Sequence, residues 1–318
     1  MFNTRTSTIA LSLTAALSAT PGSALDFNAN IEFDTNYVST KAGNTIANSP
    51  VRGASQNGRV ELITMARGLN GDAFVAAKAS FLANRNSTAN DDDLWVQFGT
   101  KAVDLKLGRF EAADLFPLGR DTLVPFAGFD PYRGHLLRGR TSSDLLQAAL
   151  TVNPSEAFSL ELGIVEHKAD AANPSVVRGV RPVATVKFGD FSLRAGVEAL
   201  KYETLSANSV SRTGAAITGS YYLGNDGSLN LSVAQSKNVA NERMITAGLT
   251  GVLGAWGGGV LAGKAGDAKV NTAYVTYAMS LMGVKGAAIT PALAYSQGAG
   301  SNNADDVTAL RVRINYAF

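Results

Sequence analysis

Apolar and polar residues alternate with a period of two along most of this chain. Leu25, Phe27, Ala29, Ile31 and Phe33 interleave with Asp26, Asn28, Asn30, Glu32 and Asp34. The C terminus repeats the scheme, with Leu310, Val312, Ile314, Tyr316 and Phe318 against Arg311, Arg313 and Asn315. Successive side chains of a β-strand point to opposite faces, so each stretch reads as a strand with two unlike sides. The same pattern predicts strands over 25–34, 60–66, 73–81, 94–98, 103–107, 146–152, 158–164 and 182–188. It continues over 191–199, 215–223, 229–233, 245–253, 256–262, 273–281, 289–295 and 311–318, sixteen strands in all.

The connections alternate in length. G-L-N-G at 68, N-P-S-E at 153, G-D at 189 and N-D-G at 225 have the chemistry of tight turns. Longer polar stretches fall at 38–57, 84–93, 111–134, 167–177, 202–212, 237–243, 264–269 and 297–306. Short turn, long loop, short turn is the rhythm of an up-and-down barrel, with tight turns on the periplasmic side and loops outside. The uncharged window 244–263 has the length of a membrane helix, but seven of its residues are glycine. Glycine costs a helix about 1 kcal/mol relative to alanine, so two strands meeting near Gly254 are expected there.

The polar parity names the two solvents. It carries nine cations and seven anions: Asp26, Glu32, Asp34, Arg59, Glu61, Arg67, Lys78, Asp104, Lys106, Glu161, Arg181, Lys187, Arg194, Glu198, Arg311 and Arg313. A sixteen-stranded barrel is too wide to fill with side chains and holds water. Charges then line an aqueous lumen, apolar residues face lipid, and closure satisfies every backbone group. The expectation is an all-β fold: a 16-stranded antiparallel transmembrane β-barrel. A soluble β-solenoid or sandwich is the competing reading.

Composition adds an address. Arg5 precedes the apolar stretch Ile9–Ala19, and Gly22-Ser23-Ala24 fits a small-residue cleavage site. Residues 1–24 thus read as a signal peptide and 25–318 as one barrel domain, exported through the periplasm to a bacterial outer membrane. With no cysteine there is no disulfide and no thiolate metal site. The net charge of +2 gives no footprint for nucleic acid.

Other motifs fail as chemistry. G-G-V-L-A-G-K-A at 258–265 approaches a phosphate loop but places Ala265 where a magnesium-binding hydroxyl belongs. Asp91, Asp92 and Asp93 lack the spaced ligands of a calcium loop and read as a solvated acidic run. His135 and Glu166-His167 have no nucleophile motif beside them and read as rim residues. No enzyme activity, cofactor or metal is expected.

The long connection E-A-A-D-L-F-P-L-G-R-D-T-L-V-P-F-A-G-F-D-P-Y-R-G, 111–134, follows a strand ending Gly108-Arg109-Phe110. Together with the terminal N-Y-A-F, these features resemble the Gram-negative porins, both general diffusion and carbohydrate-selective; G-R-F-E-A-A-D-L-F-P looks closest to the sugar porins. The resemblance implies a homotrimer and a third loop folded into the pore, with loop acids facing wall arginines. Carried over, Glu111, Asp114 and Asp121 are the loop acids, and Arg59, Arg109, Arg138 and Arg140 the wall cations. Arg109 lies on the lipid parity, and Arg138 and Arg140 need a bulge near Thr141 to join the lumen. Phe110, Phe116, Phe126, Phe129 and Tyr132 either stack on sugars or fasten the loop to the wall. The implied function is a water-filled channel for small hydrophilic solutes and ions, or alternatively a sugar-selective one. A barrel enzyme or adhesin is a distant third. Partners would be outer-membrane lipid, lipopolysaccharide and the transported solutes. A weak preference for anions follows from the lumen charges.

Overall fold

The computed structural model describes residues 23–42, 51–140, 146–167, 175–204, 209–224, 227–237, 242–300 and 305–318. The expected leader up to residue 22, and the turn residues 225–226, lie outside them.

The described residues form one antiparallel sheet. Its strands are β1 (Ser23–Ala42), β2 (Val51–Asn70), β3 (Ala73–Asn84), β4 (Ala89–Gly99), β5 (Val103–Arg109), β6 (Leu146–Ser155) and β7 (Phe158–His167). Next come β8 (Ser175–Phe188), β9 (Phe191–Thr204), β10 (Ser209–Tyr222), β11 (Gly227–Lys237), β12 (Arg243–Leu253), β13 (Trp256–Ala265) and β14 (Ala268–Tyr277). The penultimate strand is Ala287–Ala299 and the C-terminal strand Asp305–Ala317. A short piece, Met279–Ser280, continues β14 past Ala278 and pairs with the same neighbour. Each strand pairs with the next, and β1 pairs with the C-terminal strand from Asn30 opposite Ala317 to Ala42 opposite Asp305. The sheet is therefore a closed sixteen-stranded barrel, as the alternation predicts.

Closure satisfies the terminal phenylalanine. The backbone N–H of Phe318 donates to the carbonyl of Ala29 (3.0 Å), and that of Ala29 donates to the carbonyl of Phe318 (2.8 Å). The window 244–263 is indeed a hairpin, turning at Gly254 with φ 55. Two expected loops are not loops. The stretch 264–269 contracts to a turn of Gly266 and Asp267 between β13 and β14. The stretch 84–93 ends at residue 88, and the acidic run belongs to β4. That run is not solvated: Asp92 and Asp93 are buried, and Asp93 bonds Lys78 (2.6 Å) and Arg140 (2.9 Å). A β-bulge opposite Ser80 turns both carboxylates to the same side, which broke the alternation in the sequence.

The two faces differ as predicted. Leu62, Leu94, Leu146, Leu231, Leu249, Val260 and Leu293 are exposed on the outer surface. An aromatic band ends this surface at the tight-turn side, where Phe191 contacts Tyr221 and Trp256 contacts Tyr277, both at 4.6 Å between ring centroids. It has the character of a membrane-interface girdle.

The inner wall has two unlike arcs. From β10 to the penultimate strand many of the inward positions are hydroxyl-bearing and buried, among them Thr218, Ser232, Thr246, Thr250, Thr272, Thr290 and Ser296. On β1 to β5 they are charged or large: Glu32, Asp34, Arg59, Met65, Lys78, Trp95 and Lys106. The packed core lies against the first arc, where Leu115, Phe116 and Tyr132 meet Val183, Ala216, Ala234, Leu261, Tyr274 and Ala294.

Candidate functional site

The segment 110–140 runs along the inner wall and returns. The carbonyls of its outgoing limb are taken one after another by inward side chains. Arg181 Nη2 donates to Ala113 (2.7 Å) and Arg194 Nη1 to Asp114 (2.9 Å). Thr218 Oγ1 donates to Leu115 (2.7 Å), Thr250 Oγ1 to Pro117 (2.7 Å) and Tyr274 Oη to Leu118 (2.8 Å). Arg311 of the C-terminal strand reaches the carbonyl of Asp121. These bonds explain the hydroxyl-bearing arc: an extended limb has no ladder partner, so the wall must supply its donors.

The return limb is clipped by Glu198, whose side chain is fully buried. Its carboxylate accepts from Tyr132 Oη (2.8 Å), Leu136 N (3.0 Å), Leu137 N (2.9 Å) and Arg181 Nε (3.0 Å). A buried charge is tolerable only when paired and fully hydrogen-bonded, and this one is. Burial, reinforced by the Glu198 carboxylate, holds the Tyr132 phenol well above its usual pKa, so it remains a donor.

Glycines on the inward parity make room for the loop. A Cβ on Gly214 would stand 2.1 Å from Tyr132 Oη, one on Gly179 2.6 Å from Leu137, and one on Gly248 2.8 Å from Phe116. These absent side chains are sockets, and they went unread in the sequence because glycine in a strand reads as weakness or a bulge. Their signal was available: Gly179, Gly196, Gly214 and Gly248 all fall on the inward parity.

The expected constriction residues separate into three groups. Arg59 lies on the β2 wall in a two-pronged pair with Glu32 (2.9 and 3.2 Å). Beside it Arg313 pairs with Asp34 (2.7 Å) and comes within 3.5 Å of Asp121. Asp121 is thus the loop acid that meets wall arginines. Glu111 and Asp114 do not cross the bore. They pair with Arg138 (3.1 and 3.4 Å), and Glu111 also with Arg140 (3.5 Å). Arg138 and Arg140 are not wall cations; both sit on the return limb, where Gly139 forms a bridge with Glu111. The bulge expected near Thr141 lies outside the described residues. Arg109 also stays out of the bore. It ends β5 on the outward parity, opposite Leu94, bonding the carbonyl of Asp92 (2.7 Å) and approaching Asp91 (3.8 Å).

Among the aromatics, Phe110, Phe116 and Tyr132 are buried and present no face to a solute. Phe126 and Phe129 are half-buried against Ala127 and Val270, and Phe126 carries Arg133 over its ring (4.8 Å). They fasten the loop. The aromatic left facing the uncovered arc is Trp95, with Lys106 Nζ 4.0 Å from its ring centroid. His135 lies on the return limb and accepts from Arg133 N (3.1 Å). Among the described residues no cluster of three or more His, Asp or Glu is arranged to hold a metal.

This architecture has known counterparts. OmpT of Vibrio cholerae, in its trimer form, superposes with a TM-score of 0.64, covering 93% of this chain and 100% of that one at 13% identity. The outer-membrane channel DcaP of Acinetobacter baumannii gives 0.63, with 94% and 99% covered at 11% identity. A mutant of the Rhodopseudomonas blastica porin gives 0.58, with 93% and 100% covered at 14% identity.

The fold is that of an outer-membrane porin.

Within the porin fold, residues 25–138 also match the sequence model of a porin-like glycoporin, RafY. That stretch runs from the first outward phenylalanines through the long loop to Arg138. No curated protein matches the sequence.

Proposed function

We propose that the protein is an outer-membrane porin that passes small hydrophilic solutes and ions down their gradients. Its signal peptide would be removed before Leu25, and three copies would assemble, as they do in the trimer form of Vibrio cholerae OmpT. One observation carries the reading: a closed barrel, apolar outside, whose inner wall is half clad by a fastened loop and half lined with charge. The uncovered arc, β1 to β5, and the exposed edge of the loop would bound the water path. Asp121, Arg59 and Arg313 would form one charged margin, and Glu111, Asp114, Arg138, Arg140 and Lys78 the other. Solutes would be sieved by size between these margins.

Planar-bilayer recording tests this. Ohmic single-channel steps in KCl, with a small reversal potential toward anions in a salt gradient, are expected. Protein that inserts without conducting would end the proposal.

A sugar-selective channel is the second reading, favoured by Trp95. It lies on the bore-side wall beside Lys78, Gln97 and Asp104, a flat ring with a polar fringe. The glycoporin description of the matching family model points the same way. Saturable block of the KCl current by an oligosaccharide, lost in Trp95→Ala, would select it over general diffusion.

A further inference from the structure

A cavity of about 580 Å³ opens at the tight-turn mouth of the barrel, between the β4–β5 turn, the β6–β7 turn and the end of β8. Its polar lining includes Lys101, Asn153, Glu156, Ser159, Thr185 and Lys187. Ser159 shares the parity of Glu161, and Thr185 and Lys187 that of Arg181. Glu161 and Arg181 both bond the loop, so these lining groups face the bore. No residue of the segment 110–140 lines the cavity. It is a place apart from the charged margins of the loop.

Backbone bonds fix its floor. Asn153 N donates to the carbonyl of Ala102 (2.7 Å) and Asn153 Nδ2 to that of Lys101 (3.0 Å). Lys187 N donates to the carbonyl of Ala157 (2.8 Å). Two turns and the end of β8 are thereby tied together. Arg194 stands beside them, its Nε donating to Thr185 Oγ1 (3.2 Å). That hydroxyl has accepted a bond and keeps its own proton to donate.

The charges do not balance. Four other wall cations, Arg59, Lys78, Arg181 and Arg313, pair with Glu32, Asp93, Glu198 and Asp34. Lys101, Lys187 and Arg194 have no carboxylate within ion-pair distance among the described residues; Arg194 spends its bonds on Thr185 and the carbonyl of Asp114. Glu156 is the one acid in the lining. Asp104 and Glu161, in the next inward row, are engaged by Gln97 Nε2 (2.7 Å) and Ala113 N (3.1 Å). Three cations against one acid leave two positive charges in excess.

We propose that this cavity binds a small dianionic solute of the phosphate-monoester kind. The proposal rests on the channel reading for access, since the solute arrives through the bore. A monoester carries close to two negative charges at neutral pH, which matches the excess. Its oxygens accept from the lysine ammonium groups and from the Ser159 and Thr185 hydroxyls, and charge-assisted bonds of this kind are about twice as strong as neutral ones. The volume lies within the range of small-molecule sites, about 300–1,000 Å³.

The test is single-channel recording in about 0.1 M KCl, where screening leaves a reach of about 10 Å. Glucose, gluconate and glucose 6-phosphate are added to one side at a time; they share a carbon skeleton and differ in charge. Glucose 6-phosphate should block saturably at a concentration at least tenfold below gluconate, and glucose should not block there. Added at the tight-turn mouth, its block should depend little on voltage, because the cavity lies close to that entrance. K101Q/K187Q should raise the half-blocking concentration at least tenfold. R67Q, which removes another cation from the same rim three strands from β5, should leave it unchanged. Equal block by gluconate and glucose 6-phosphate overturns the proposal, as does a block that K101Q/K187Q leaves intact or that R67Q weakens as much. Titration calorimetry of glucose 6-phosphate into the detergent-solubilised barrel separates the two readings. Binding that K101Q/K187Q abolishes, in a barrel that conducts nothing, would sink the channel reading alone.

Discussion

Changing Glu198 to alanine removes the carboxylate on which Arg181 Nε, Tyr132 Oη, Leu136 N and Leu137 N converge. Stranding one partner of a buried ion pair costs about 3–5 kcal/mol, and each buried donor left without an acceptor about 1–3 kcal/mol. Arg181 keeps Glu161 at 3.7 Å and the carbonyls of Ala113 and Gly134, which moves its share to the lower end. The other three donors belong to the return limb, and that limb borders water. It can release them to solvent without opening a single rung of the barrel. The strain therefore appears as undocking of the loop and not as unfolding. A loss of about 3 kcal/mol multiplies the undocked fraction roughly a hundredfold, at about 1.4 kcal/mol per factor of ten. Single-channel recording should show a Glu198→Ala pore with higher mean conductance and frequent flicker, while its heat-modifiable mobility in dodecyl sulfate stays that of a closed barrel. Glu198→Gln keeps an acceptor oxygen and should fall between. An alanine variant with the wild-type step size and noise would show that Glu198 does not hold the loop.

Gly214→Ala should reproduce this flicker from the wall side, because its new Cβ falls 2.1 Å from Tyr132 Oη and must displace the ring. Combined with Glu198→Ala it should add little, as both break the same contact, and additive effects in recordings would refute the shared cause. Asp121→Asn removes the loop acid 3.5 Å from Arg313 and should shift the reversal potential in a KCl gradient further toward anions. Arg140→Gln leaves the buried Asp92 and Asp93 with Lys78 as their one cation partner among the described residues and should lower the melting temperature of the purified protein. Deleting Phe318 removes two backbone bonds to Ala29 and the ring contact with Tyr316 (5.1 Å), so refolding into detergent should give less closed barrel.

The barrel was legible because its two solvents leave opposite marks on adjacent residues. Leu231 and Val233 against Asn230 and Ser232 need no partner to be read as a strand. Reading failed where a charge was taken to mean water. Asp92 and Asp93 looked like a loop, yet Lys78 and Arg140 neutralise them within the sheet. Lys264 and Lys269 looked like a loop, yet they are the ends of two strands at the membrane rim. The grouping of the expected constriction residues was not legible. Arg59 and Asp121 are linked through Glu32 and Arg313. Arg138 and Arg140 were misplaced because nothing local announces that the chain doubles back to set Gly139 beside Glu111. The clip itself joins Tyr132 to a glutamate 66 residues away, a distance no local pattern spans.

The paired state of these charges bears on how selective such a pore would be. Arg59 faces Glu32, Arg313 faces Asp34, Lys78 faces Asp93, and Arg138 and Arg140 face Glu111. An ion pair is a short dipole whose field falls off faster than that of a lone charge, and physiological salt screens what remains within about 8 Å. A passing ion therefore meets alternating signs instead of one sustained potential. Among the described residues the inward cations Arg67, Lys106, Lys187, Arg194 and Arg311 have no carboxylate within ion-pair distance, and the inward acids Asp26, Glu61 and Asp104 have no cation. Cations outnumber acids in this unpaired set, so a net preference for anions should come from it. Neutralising Lys106 and Arg311 together should weaken the anion tilt, and so should removal of a paired arginine, which frees an acid as it goes.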